Sequence, residues 1–284
     1  MHFTVLVASK ADPRGNRNVV DALLAPYDED PKDERFLIKI DITEEARSDY
    51  QDFLKHADPS RSFDDWLDAE YGSGVEFDEE TGRVLRETAA NPKWDWYQIG
   101  GRWSGLLKAK DMSMATINTP GVGGDDAPPR TGYADILQKG NLDLDGMAND
   151  VRNKAVEAWG FVRTLIHDRP EFLLRMEIAF ELPTNDPVRI AFLASPTWDQ
   201  LAKRFGPYDV RALVIDILGL GVEDYAARCA HNARFCTHST LVEDDNGGST
   251  WLDHDNNDGD VMTFDEVLAA IPDDYWLTLV DCHT

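Results

Sequence analysis

The chain predicts an α+β fold, a mixed and mainly antiparallel sheet with flanking helices. Three observations predict it. Short apolar or alternating runs stand at the start, centre and end of the chain, at Phe3–Ala8, Trp94–Lys108 and Trp276–His283. Segments with helical spacing lie between them, without the strict strand–helix alternation of a parallel sheet. The regions around Glu79-Glu80-Thr81-Gly82 and Gly100-Gly101 read as hairpin turns, which join antiparallel strands.

Phe3 to Ala8 is apolar and rich in β-branched residues, a buried strand. Asp12-Pro13-Arg14-Gly15-Asn16 is a turn, and Val19, Val20, Leu23 and Leu24 follow at helical spacing until Pro26. In Phe36–Ile42 the apolar residues Phe36, Ile38, Ile40 and Ile42 alternate with Lys39 and Asp41, a strand. Thr43 caps a helix over Glu44–His56, and Ser62 opens a short one carrying Trp66 and Leu67. Val75–Glu87 and Trp94–Lys108 follow as hairpins. Residues 112–132, rich in Gly and Pro, form an inserted loop, a plain surface segment or a lid beside the aromatic stretch. Tyr133–Lys139 and Gly146–His167 read as helices. Leu173–Glu181 fits a helix or a strand, its alternation favouring the strand; if the apolar Arg189–Ala194 is also a strand the two make a loose hairpin, and Trp198–Phe205 is helical. Val210–Leu218 is apolar enough for a buried helix or strand. The last strand runs from Trp276 to His283. The expected organisation is one domain over 1–284, the alternative being two subdomains at 1–111 and 133–284.

Net charge is −25, from 53 acidic and 28 basic side chains. Such a field repels nucleic-acid backbones, so direct nucleic-acid binding is disfavoured. It leaves simple solubility, mimicry of DNA by carboxylates, or capture of a metal or a basic partner. Three Cys exclude a full disulfide framework and point to reduced thiols. No run of eighteen apolar residues is present, so no membrane helix is expected. The N-terminus reads as a strand without the basic region of a signal peptide. A cytoplasmic location follows as the expectation.

Three stretches carry candidate chemistry. Cys229, His231, Cys236 and His238 supply four soft ligands of the kind a tetrahedral zinc site uses, in an order foreign to common fingers; inert thiols are the plainer reading. Asp253–Glu266 resembles a calcium loop of the EF-hand kind but is off by one residue from either end. Thr263 and Glu266 also read as a helix capping box. The third stretch is Lys93-Trp94-Asp95-Trp96-Tyr97-Gln98-Ile99-Gly100-Gly101-Arg102-Trp103-Ser104-Gly105, with three of the eight Trp. As a strand it places Trp94, Trp96 and Gln98 on one face and Asp95, Tyr97 and Ile99 on the other. Aromatic core packing explains most of it. Arg102 beside Trp96 and Trp103 suits a cation–π stack or an anion clamp, and a flat base would fit such a cleft.

Taken together, Phe3-Thr4-Val5-Leu6-Val7, Leu24-Ala25-Pro26-Tyr27-Asp28-Glu29, the aromatic stretch and Leu277-Thr278-Leu279-Val280-Asp281-Cys282-His283 resemble a family of uncharacterised proteins of tailed bacteriophages and some actinobacteria. The chain departs from that pattern by a longer acidic C-terminal half and by Thr284 in place of Ile. The resemblance implies a setting, a phage-encoded protein in a host cytoplasm, rather than a mechanism. It also implies that the first strand, the central stretch and the last strand close one sheet with adjacent termini, which favours the single domain.

The leading expectation is a non-enzymatic accessory protein that binds a host protein or a small nucleotide ligand. Its binding residues are expected to be Trp94, Trp96, Tyr97, Arg102, Trp103, Asp281 and His283. The alternatives are an enzyme dependent on metal or on Cys, an acidic DNA-mimic inhibitor, and a virion component. Zinc and calcium are the cofactors considered.

Overall fold

The structure, a computed structural model, describes residues 1–56, 61–78, 80–117, 131–166, 170–232, 235–254 and 262–284. It is an α+β fold with a mixed, mostly antiparallel sheet. The chain forms two compact units, one of residues 1–142 with 236–284 and one of residues 143–235. No helix among the described residues is long and apolar enough to cross a membrane.

The first unit opens with β1 (His2–Ser9), α1 (Asn18–Leu24), β2 (Leu37–Asp41), α2 (Thr43–His56), α3 (Phe63–Tyr71), β3 (Val75–Asp78) and β4 (Arg83–Ala89). There follow β5 (Trp96–Ile99), β6 (Leu107–Lys108), β7 (Ala115–Thr116), β8 (Tyr133–Ala134) and β9 (Ile136–Gln138). The second unit is helical: α4 (Leu144–Ile166), α5 (Pro170–Glu181), α6 (Pro187–Leu193), α7 (Pro196–Phe205), α8 (Val210–Gly219) and α9 (Val222–Asn232). The chain then returns to the first unit with β10 (Ser239–Glu243), β11 (Ser249–Asp253), α10 (Phe264–Ala270) and β12 (Trp276–His283).

The main sheet has the order β11-β10-β1-β12-β9-β7, and β5 also pairs with β12. Among its described strands β1 and β10 run parallel and the other pairs antiparallel. β1 pairs with β12 over its whole length, from His2 opposite His283 to Ser9 opposite Trp276. The far edge of β12 is shared: β9 takes its first three residues and β5 its last four. The alternation of β1 and β12 sends Val5, Val7, Trp276, Val280 and Cys282 to one face, where they meet Leu23 and Leu24 of α1 with Trp94, Tyr97 and Ile99. A separate sheet, β2-β4-β3, packs Val84 against Ile42, Ala46, Trp66 and Leu67 under α2 and α3.

Five expectations change. Trp94–Lys108 is not a hairpin, because β5 pairs with β12 and β6 with β8, and the chain between them coils through a 3-10 turn at Gly101–Trp103. Tyr133–Gln138 holds two short strands, not a helix; all of β8 and β9 but Gln138 is buried, and a short apolar run does not reveal its own period. Leu173–Glu181 is helix: Phe172, Met176 and Ala179 are buried at helical spacing, whereas Leu174 and Ile178 are exposed. Its supposed partner is α6, started by Pro187 at the first helical turn with Asp186 accepting from the Val188 N–H. Within the 112–132 segment, Ala115–Thr116 is an edge strand of the main sheet, so the expected loop begins only after it; residues 118–130 lie outside the described residues.

In the helical unit α4 packs along α9, and the core gathers Val162, Ile166, Met176, Trp198, Leu201, Val214 and Ile217. Capping is local and regular: Ser195 accepts from the Trp198 N–H at the start of α7.

Candidate functional site

The aromatic stretch divides its residues between the core and the solvent. Trp94 precedes β5, makes a parallel bridge with Asp28, and donates its indole N–H to the Leu24 carbonyl at 3.1 Å. The Asp95 N–H turns toward the His283 carbonyl, which interrupts the alternation before the strand begins. Trp94 therefore faces the core with Tyr97, ring to ring at 5.2 Å, rather than sharing a face with Trp96. Tyr97 hydrogen-bonds Asp21 through its hydroxyl and lies under the Arg17 guanidinium at 4.9 Å. Trp96 points the other way and is 49% exposed.

On that outer face the middle of the sheet is buried and apolar, through Leu6, Leu277 and Leu279. The polar end begins at Asp281. Its carboxylate is 2% exposed and accepts from the Arg102 backbone N–H at 3.1 Å and from His2 Nδ1 at 2.9 Å. His283, opposite His2 in the register, bonds the Asp95 carboxylate through its own Nδ1 at 2.9 Å. The two imidazoles meet edge to face with centroids 4.9 Å apart, and the Trp96 ring stands 6.2 Å from His2. The site is thus a pair of imidazoles, each held by a carboxylate, beside one open indole. The bond from His283 holds the Asp95 carboxyl below its ordinary value.

The loop after β5 is shaped by two buried carboxylates. Gly100 and Gly101 have positive φ, and a Cβ on either would run into Asp135 and Asp281 respectively. Asp135 accepts from the Ser104 hydroxyl at 2.8 Å and from the Gly105 N–H. These contacts explain the glycine pair, and they leave the Arg102 side chain exposed while its backbone is fixed. Trp103 is partly buried.

Cys282 lies between Asp281 and His283 in sequence but faces the core and is fully buried. Burial, and then the neighbouring Asp281 charge, pushes its thiol well above the usual value, so it is no thiolate nucleophile.

The four expected zinc ligands are divided between the two units, Cys229 and His231 in the helical one and Cys236 and His238 in the other. Cys229 and His231 are two residues apart on α9, about 200° around the helix axis. Cys229 hydrogen-bonds Tyr225. Cys236 is exposed and bonds the Thr237 carbonyl, and His238 lies beside Phe3. Among the described residues no group of three or more His, Cys, Asp or Glu is arranged to hold a metal ion. Of the calcium-like stretch, residues 255–261 lie outside the described residues, and Thr263 with Glu266 forms a complete capping box. Elsewhere among the described residues lie an apolar groove of about 740 Å³ between α5 and α6 and a cavity of about 540 Å³ at the start of α2.

The structure therefore joins Trp96, Asp281 and His283 of the expected binding set around one face, with the Arg102 backbone tied to it. It assigns Trp94 and Tyr97 to the core. It adds His2 and Asp95, which no local pattern marks. Comparison of the chain with protein-family models, with curated proteins and with solved structures gives no match.

Proposed function

We propose that the protein is a phage-type accessory protein of the host cytoplasm that binds a small nucleotide ligand at the Trp96–His2–His283 face, without catalysing a reaction. The observation that carries this reading is the half-exposed Trp96. Its sequence neighbours Trp94 and Tyr97 are consumed by the core, while its ring stays open, 6.2 Å from the His2 imidazole and opposite His283 in the sheet register, and the exposed Arg102 stands on the loop that Asp281 holds by its backbone. An open indole stacks on a nucleobase, and a guanidinium on a fixed backbone reaches for phosphate. Burial of Cys282 on the opposite face weighs against the Cys-dependent enzyme.

Isothermal titration with a panel of purine and pyrimidine nucleotides tests the reading, run once with EDTA and once with a divalent ion. One or more nucleotides are expected to bind, and Trp96→Ala is expected to weaken them about tenfold or more, the worth of one base–aromatic stack. Tyr208→Ala, an exposed aromatic in the helical unit, is expected to change nothing. Flat titrations in both conditions, or equal binding by Trp96→Ala, would overturn it.

A further inference from the structure

The His2–His283 pair has a chemistry that a nucleotide-binding face alone does not require. A carboxylate only accepts hydrogen bonds, so each imidazole must carry its proton on Nδ1, where Asp281 and Asp95 lie 2.9 Å away. In the neutral ring that choice leaves Nε2 with its lone pair. Neither Nε2 has a hydrogen-bond partner among the described residues. A carboxylate on one nitrogen that fixes the tautomer and raises the basicity of the other is the usual support of a metal-ligating histidine. Here it occurs twice, on rings 4.9 Å apart that register opposite each other on β1 and β12.

Charge points the same way. The sheet unit carries 39 acidic and 17 basic side chains, the helical unit 14 and 11. An anionic nucleotide approaching the sheet unit meets a repelling field, and a cation an attracting one. An ion bound between imidazole nitrogens and phosphate oxygens reverses the local sign.

We propose that His2 and His283 hold a divalent first-row transition ion of the zinc, cobalt and nickel class through their Nε2 atoms, and that this ion receives the phosphate of the nucleotide. Imidazole donors favour that class over magnesium or calcium. The protein supplies two ligands, consistent with there being no group of three or more metal-binding side chains among the described residues, and the other positions belong to water and phosphate. The second half of the proposal rests on the nucleotide reading; the first does not.

The test is titration of the untagged full chain with Zn2+ alone, followed by Co2+ with its visible spectrum as readout. One equivalent is expected to bind, and binding is expected to be lost in the His2→Gln, His283→Gln double variant. Asp95→Asn, a change at an exposed carboxylate, is expected to weaken it about tenfold or more by freeing the His283 ring. Cys236→Ser is expected to retain it, which separates this site from the exposed thiol. Circular dichroism checks that each variant is folded. Unchanged Zn2+ stoichiometry in the folded double variant, or no binding by the parent chain, overturns the metal site. Metal binding together with flat nucleotide titrations keeps the site and overturns the nucleotide reading. Nucleotide binding of equal strength in EDTA keeps that reading and overturns the bridging role.

Discussion

Replacing Trp94 with Ala empties a site between Leu24 and Tyr97 and removes the hydrogen bond its indole N–H gives the Leu24 carbonyl. Replacing Trp96 removes a ring that is already half in water. The first change is expected to cost about 3–5 kcal/mol of stability and the second about 1 kcal/mol or less. Urea denaturation of the two variants reads the difference, and equal losses would place both rings in the core. The sequence showed the cluster of aromatics but not this division. Alternation counted from Trp94 puts it on the face of Trp96, whereas the strand starts at Trp96, and a one-residue shift in register moves a side chain to the other face. Gly100 and Gly101 are explained by what lies beneath them rather than by a ligand. The closeness of Asp135 and Asp281 is a fact of the folded sheet, and no local pattern announces it. Asp281 and His283 were legible as a polar pair closing an apolar strand. His2 was not, because its partner stands at the other end of the chain and only antiparallel pairing of β1 with β12 brings them together.

The helix that Thr263 and Glu266 open is legible from its own side chains. Thr263 accepts from the Glu266 N–H, and Glu266 reaches back to the Thr263 N–H and hydroxyl, as the Thr-x-x-Glu spacing implies. Those bonds hold the Glu266 carboxyl below its ordinary value, the backbone N–H first. Thr263→Ala is expected to cost about 1 kcal/mol at neutral pH. A carboxyl lowered by folding contributes stability above its unfolded value, here 4.5, and loses it as pH falls through the folded value. The gap between parent and variant is therefore expected to narrow in thermal melts below that pH, and a gap constant with pH would separate Glu266 from the cap. Where an element lacks such marks, tertiary packing decides. In α5 the alternation of Leu174, Met176, Ile178 and Phe180 imitates a strand, yet Phe172, Met176 and Ala179 fill the helical core at helical spacing. In β8 and β9 the run is too short to carry a period, and pairing with β6 and β12 settles it.

At the scale of the whole molecule, charge follows the division into units. The acidic excess of the sheet unit is 22 and that of the helical unit is 3, a contrast hidden in the overall −25 because the helical residues are set into the middle of the chain. Like charges crowded on one unit oppose its compact state, and added salt screens them. The helical unit has its own core, from Ala155 to Ala226, and no comparable self-repulsion. Residues 143–235 expressed alone are accordingly expected to give a helical circular dichroism spectrum and a cooperative melt. In the full chain, raising salt from about 0.05 to about 0.5 M is expected to stabilise the sheet unit by ~1 kcal/mol, or roughly 2–4 °C for a unit of this size. The helical melt should move by less. Following the near-ultraviolet signal of the aromatic residues at the sheet against the far-ultraviolet helical signal separates the two. Equal shifts in both signals would mean that the acidic excess does not strain the sheet unit, and its carboxylates would then owe their number to solubility or to a basic partner rather than to any tolerated cost of attracting a metal ion.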